Sequence, residues 1–179
     1  QYVSVETGYK LTSLPTSTRD GYTFAGWWTT ASGGTQISTS TTFNTATNVY
    51  AHWTKIVYTV TYNGNNGEPS KPSDTVSIDT GWKLANIATA QRIGYDFVGW
   101  YTSTTGGDKV TSSTEIKQNR TLYAHWSTIT YTITYNGNGG TASKVSDTVS
   151  IETGNKISNL ATATRDRYTF LGWYQATSG

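Results

Sequence analysis

The chain has 179 residues, and 13 Lys and Arg against 11 Asp and Glu leave a net charge of only +2. The absence of Cys excludes disulfides, a cysteine nucleophile and cysteine metal ligands, and no apolar run approaches the about 20 residues that span a membrane. Gln1 is not an initiator methionine and no signal peptide opens the chain, so we expect a piece of a longer protein without membrane insertion.

The predicted elements are clearest between residues 58 and 126. Alternating β-branched and aromatic residues predict four strands, with turns at the Asn- and Gly-rich segments between them. In chain order the strands are YTVTY at 58–62, DTVSI at 74–78, YDFVGWY at 95–101 and RTLYAHW at 120–126. Between the second and third strands, 82–92 predicts at most one short helix. The sequence therefore predicts a mainly β fold, α+β at most.

One aromatic octet recurs along the chain: GYTFAGWW at 21–28, GYDFVGWY at 94–101 and RYTFLGWY at 167–174. The copies are separated by 73 residues, and such a fixed period predicts tandem repeat domains.

The period places one repeat at 1–53, a second at 58–126 and a third at 131–179, with short linkers at 54–57 and 127–130. The first repeat lacks the first strand and the third lacks the last, so only the middle one is complete.

The recurring aromatic residues predict a core in each repeat. A unit of about 70 residues has little surface to bury and no disulfide here, so large rings must supply the burial. The predicted core residues are Phe24, Trp27, Trp53, Phe97, Trp100, Trp126, Phe170 and Trp173.

Two other tryptophans are candidates for a ligand contact. Trp28 stands beside Trp27, and Trp82 occupies a position where the sister repeats have Tyr9 and Asn155. Such variation predicts that Trp82 is exposed, and an exposed ring on a strand or turn can stack on a sugar or a base. Binding through these rings stays open as an alternative to a purely structural role.

No motif predicts catalysis, a cofactor or a metal. His52 and His125 hold the same place in two repeats without a second His or Cys at metal spacing, so they are predicted to be strand-end residues. Asp79-Thr80-Gly81 resembles an aspartic-protease motif. Its counterparts Glu6-Thr7-Gly8 and Glu152-Thr153-Gly154 have the longer Glu in place of Asp. All three words are predicted to be turns.

The charges also argue against a polyanionic partner. Basic and acidic residues are equal in number within 58–126 and are interspersed. The sequence has no stripe of basic residues that could neutralise the charge of a nucleic acid or a heparin-like glycan.

The words YTVTYNGNNG, GYDFVGWY and TLYAHW, in this order and spacing, resemble the Listeria–Bacteroides repeat family, the B repeats of internalin-type surface proteins. The resemblance covers all three copies, although Arg167 stands where the octet otherwise has Gly. It implies tandem β-grasp (ubiquitin-like) units and carries no catalytic residues. The expected function is a non-catalytic stalk or spacer of a secreted adhesin at the bacterial cell surface, beside neighbouring repeats of a longer chain. The alternative is an adhesive module that itself binds a host surface protein or glycan.

Overall fold

The protein is mainly β, as the alternating residues predicted. A computed structural model describes residues 9–175, of which 41% are in strand conformation and 4% are helical. The predicted turn at Glu6-Thr7-Gly8 lies outside the described residues.

The four strands predicted in the middle repeat are present, with ends shifted by at most two residues. The strands are β1 (Tyr22–Trp28), β2 (Gln36–Ile37), β3 (Tyr50–Lys55), β4 (Val57–Asn63), β5 (Glu68–Pro69), β6 (Ser73–Ser77), β7 (Ala90–Gln91), β8 (Tyr95–Tyr101), β9 (Lys109–Val110), β10 (Arg120–Thr128), β11 (Thr130–Thr134), β12 (Thr141–Ala142), β13 (Ser146–Ser150) and β14 (Ala163–Thr164). Short 3-10 helices lie at Ile78–Thr80 and Ile151–Thr153.

The strands form several small sheets. One has the order β2-β1-β3 and another the order β6-β4-β10-β8-β9, while β5-β7, β11-β13 and β12-β14 pair separately. Of the predicted linkers, Thr54 and Lys55 lie in β3, and Val57 lies in β4. These residues are therefore part of the strands themselves.

The chain divides into two compact units that do not follow the repeats. The first extends to Thr61 and takes in 73–87 and 111–121, and the second comprises 62–72, 88–110 and the chain from Leu122 onwards. The middle repeat contributes residues to both.

A β-bulge explains the glycine inside the aromatic octet. The pairing of β1 with β3 shifts register between Phe24 and Gly26, and β8 makes the same shift against β10 next to its Gly99. Gly26 and Gly99 have φ of 124° and 144°, a region that L side chains rarely adopt. The recurring Gly-Trp word thus encodes a bent strand as well as a core residue.

The predicted core aromatics are buried to different degrees. Trp100 is 1% exposed, and six others, Phe24, Trp27, Trp53, Phe97, Trp126 and Trp173, are half-buried. Phe170 contradicts the prediction, because it is 42% exposed. In the middle repeat β10 pairs with β8, the strand of Phe97, and no strand among the described residues does this for the segment of Phe170.

The middle repeat also buries aliphatic residues that the aromatic pattern did not single out. Val60, Val76, Ile116 and Leu122 are among its fully buried side chains. The core is therefore a mixed aromatic and aliphatic one.

The short helix predicted at 82–92 is absent, and tertiary hydrogen bonds explain why. The carbonyl oxygen of Trp82 accepts a bond from the Ile116 N–H at 2.8 Å, and that of Ala88 accepts one from the indole Nε1 of Trp100 at 2.6 Å. These two bonds fix the path of the segment through Ile116 and Trp100 instead of through i→i+4 bonds within a helix. The segment instead is irregular until β7 begins at Ala90, and it buries Leu84 and Ala88.

Candidate functional site

Trp28, the first candidate ligand contact, stacks on a residue of its own repeat. Its ring lies 4.3 Å from that of His52, with only 6° between the planes. The two residues come from the paired strands β1 and β3. One face of the indole is therefore covered, and the residue is half-buried.

The same stack recurs in the middle repeat, where Tyr101 lies 3.9 Å from His125 at 9°. Nε2 of each histidine lies 2.9 Å from a backbone carbonyl oxygen, that of Thr30 for His52 and of Ser103 for His125. Because a carbonyl only accepts, Nε2 carries the proton and donates it. Each histidine thus connects its own strand to the turn that follows the neighbouring strand. This is a structural role.

Trp82, the second candidate, is half-buried rather than exposed as predicted. Its ring packs at 5.6 Å and 41° against Tyr58 of β4, and its backbone N–H donates to the Ser77 carbonyl at 2.9 Å. It follows the glycine that ends the 3-10 helix and has a φ of 64°, which is rare for a bulky side chain. Asn155 holds the same place in the third repeat with a φ of 58°.

A small polar cluster lies at the start of the third repeat. Tyr135 Oη donates to Asp147 Oδ2 at 2.6 Å, and Lys144 Nζ donates to Asp147 Oδ1 at 2.8 Å. The Lys144 ammonium and the Tyr135 hydroxyl hold the pKa of Asp147 below its ordinary value. The bond to Asp147 raises the pKa of Tyr135 in turn. The cluster braces β11 against β13, and its acidic and basic groups are already paired with each other.

A cavity of about 780 Å³ lies in the third repeat, lined in part by Ile133, Tyr135, Phe170 and Trp173. Its walls are β11 and the segment at 168–174, the counterparts of β4 and β8. In the middle repeat β10 lies between those two strands. The cavity therefore lies at the place that β10 holds in the middle repeat, which gives its apolar lining a structural explanation.

Two sets of contacts join successive repeats and are built alike. In the first joint, the Ile56 N–H donates to the Gly21 carbonyl at 2.9 Å, and Lys55 forms an ion pair with Asp79. That ion pair raises the pKa of Lys55.

The second joint repeats these contacts 73 residues later. The Ile129 N–H donates to the Gly94 carbonyl at 3.0 Å, and Thr128 Oγ1 donates to Glu152 Oε1 at 2.8 Å. A hydroxyl–carboxylate bond thus replaces the ion pair.

Each joint also brings a glycine against an isoleucine of the next repeat. A Cβ placed on Gly21 would stand 2.6 Å from Cβ of Ile78, and one placed on Gly94 would stand 2.7 Å from Cβ of Ile151. Real Cβ atoms do not approach so closely, so only glycine fits at either place. Sequence reasoning missed these pairs, although both glycines and both isoleucines recur at the 73-residue interval.

The described residues contain no group of three or more His, Asp or Glu that could hold a metal ion. Within the same residues, no helix is long and apolar enough to cross a membrane.

The fold and the joints together define a class of protein. It is a repeated β domain in which the same contacts connect each copy to the next. The chain belongs to the Listeria-Bacteroides repeat domain family, which matches residues 1–52, 58–125 and 131–179. The match is threefold, so the chain is a tandem array of this domain.

Two relatives illustrate where similar sequences occur. A protein of Evansella cellulosilytica, whose name describes a Gly-rich membrane protein, is 34% identical over 167 residues, 89% of this chain and 18% of its own length. Internalin H of Listeria monocytogenes is 30% identical over 135 residues, 68% of this chain and 24% of its own length. The chain thus spans less than a quarter of either relative. No solved structure gives a significant match.

Proposed function

We propose that this chain is a non-catalytic spacer, a run of repeat modules in a bacterial surface protein. The observation that carries the proposal is the pair of joints, in which the same glycine–isoleucine contact recurs with the same backbone bond. A contact that recurs between successive copies serves to set one repeat against the next, and a spacer needs this property. Family membership and the names of the relatives support a setting at the cell surface.

We also propose that the repeating unit is a β-grasp domain bounded as the sequence predicted, at 1–53, 58–126 and 131–179. The strand order β6-β4-β10-β8-β9 supports this for the middle repeat. The first and last long strands of that repeat lie side by side at the centre, and the second and third flank them. The whole protein, in this proposal, is an extracellular adhesin that carries its recognition surface elsewhere.

A spacer must add length with each repeat. A 73-residue globule has a radius of gyration of about 11 Å, so each repeat is expected to add roughly 30–35 Å. Small-angle X-ray scattering of the chain tests this. A maximum dimension too small for three repeats in succession would contradict the spacer role.

A second candidate function is direct adhesion to a host protein or glycan, and Trp82 is the observation that favours it. A tryptophan held at positive φ costs about 1–3 kcal/mol, and such strain concentrates at functional sites. The third repeat places Asn, which tolerates this conformation better, at the same position.

A screen of the chain against glycans and host surface proteins separates the two functions. The spacer proposal expects no saturable binding. The adhesive alternative expects binding that Trp82→Asn abolishes, with Trp28→Ala as a second variant. Trp82→Asn is a matched change, because the third repeat folds with Asn155 at that place.

A further inference from the structure

The turn that precedes the octet strand is built in the same way in all three repeats. In each, a tyrosine N–H donates to the carbonyl of an arginine three residues earlier, at 3.1 Å. The guanidinium of that arginine lies over the tyrosine ring, a cation–π contact. The pairs are Arg19 with Tyr22 at 4.0 Å, Arg92 with Tyr95 at 3.8 Å and Arg165 with Tyr168 at 4.1 Å.

The residue just before the tyrosine is glycine in two repeats and arginine in the third. Gly21 and Gly94 have φ of 77° and 80°, and Arg167 has a φ of 63°. The turn around Arg167 nevertheless closes with the same hydrogen bond and the same cation–π contact. The turn itself therefore does not require glycine.

What requires glycine is the joint. Gly21 and Gly94 each lie against the isoleucine of the following repeat, where a Cβ has no room. Arg167 carries a Cβ and a long side chain at this position, and its guanidinium contacts the neighbouring Asp166 at 3.5 Å. The two glycine positions are thus explained by their partner, Ile78 or Ile151.

We propose that Arg167 ends the run of docked repeats. The turn faces of the first and second repeats receive the isoleucine of the next copy, whereas the face of the third repeat, with Asp166 and Arg167, cannot receive another copy by this contact. A domain attached beyond it is joined with different geometry, through a polar surface. The biological meaning of this inference rests on the proposed spacer role, but the experiment that tests it does not.

The test puts the third repeat's residue into an existing joint. The chain has no Cys, so Thr104→Cys and Ser158→Cys place spin labels at two exposed positions on either side of the second joint. Pulsed electron spin resonance then reads the distance between the labels. In the parent we expect a narrow distribution of distances between the labels. In Gly94→Arg we expect a broad distribution.

The matched control is Gly33→Arg, the same change at a glycine with a φ of 67° and no atom within 4 Å of an added Cβ. It should keep the narrow distance. If Gly94→Arg loses the near-UV circular dichroism of the fold, Ile151→Ser opens the same contact from the other side, and it is expected to broaden the distance.

A narrow, parent-like distance in folded Gly94→Arg would overturn the proposal, because arginine would then be compatible with the joint. So would an unchanged distance in Ile151→Ser. Neither result depends on the binding screen or the scattering experiment, so the spacer proposal can fail while this inference stands, and the reverse.

Discussion

The indole Nε1 of Trp100 donates a hydrogen bond to the carbonyl oxygen of Ala88 at 2.6 Å. The other repeats make the same bond over the same twelve residues, from Trp27 to Pro15 and from Trp173 to Ala161, each at 2.7 Å. In each repeat the octet tryptophan therefore ties its strand to the irregular segment that precedes it. The ring supplies buried area, and its N–H holds the segment at Pro15, Ala88 or Ala161, each of which lies outside the strands.

Trp100→Ala should cost about 3–5 kcal/mol of unfolding free energy, as other large-to-small changes of buried aromatics do. Trp100 is 1% exposed and packs against Phe97 and Tyr62, so the cavity would be lined by rings that cannot easily collapse. Urea unfolding followed by circular dichroism measures the loss. Trp100→Phe should cost less, because it keeps a ring in the core. It should still destabilise the protein, because the Ala88 carbonyl loses its donor. A Trp100→Ala transition equal to that of the parent would contradict the core assignment.

His125→Ala should destabilise the protein through two lost contacts. The stack on Tyr101 contributes about 0.5–1.5 kcal/mol and the bond to the Ser103 carbonyl about 1 kcal/mol. Thermal melts of the variant provide the measurement. His52→Ala, which removes the corresponding contacts to Trp28 and Thr30, is the matched variant in the first repeat. If neither variant lowers the melting temperature, the histidines do not have the structural role assigned to them.

Acid should weaken the third repeat through Asp147. Its pKa is lowered in the folded state by Lys144 first and Tyr135 second, so the folded protein binds this proton less readily than the unfolded chain does. The carboxylate therefore stabilises the fold above its ordinary pKa, and the stabilisation is lost as pH falls through the lowered one.

The measurement is the urea midpoint as a function of pH across the acid range. Asp147→Asn should flatten the acid decline, and Asp20→Asn, a change at an exposed aspartate, should leave it as in the parent. Equal pH profiles for the parent and Asp147→Asn would show that the cluster does not contribute.

Residues 58–126 should fold when expressed alone, and 1–53 should not. The middle repeat buries Val60, Leu122 and Ala124 completely, from the strands that the sequence predicts as its first and last. Residues 1–53 lack a counterpart of the first, so a strand edge and an apolar face would stay unpaired. Thermal melts of the two fragments decide this. A cooperative transition from isolated 1–53 would show that the predicted repeat boundaries are wrong.

The sequence by itself determined the repeat, the four longer strands of the middle repeat and the β class. These follow from local properties: alternation marks a strand, Asn and Gly mark a turn, and a fixed interval marks a copied unit. Trp100 was predicted as core for the same reason, since a recurring ring in a small domain without disulfides has to be buried.

Only the tertiary structure decided what depends on partners distant in sequence. Residues 82–92 have no helix because Ile116 and Trp100 bond to their carbonyls, and Phe170 is exposed because no described strand covers it. Trp82 is half-buried because Tyr58 lies against it. Gly94 looks like an ordinary turn residue until Ile151 is seen against it. Local periodicity carries no information about these contacts, because each joins residues more than ten positions apart that only the folded chain brings together.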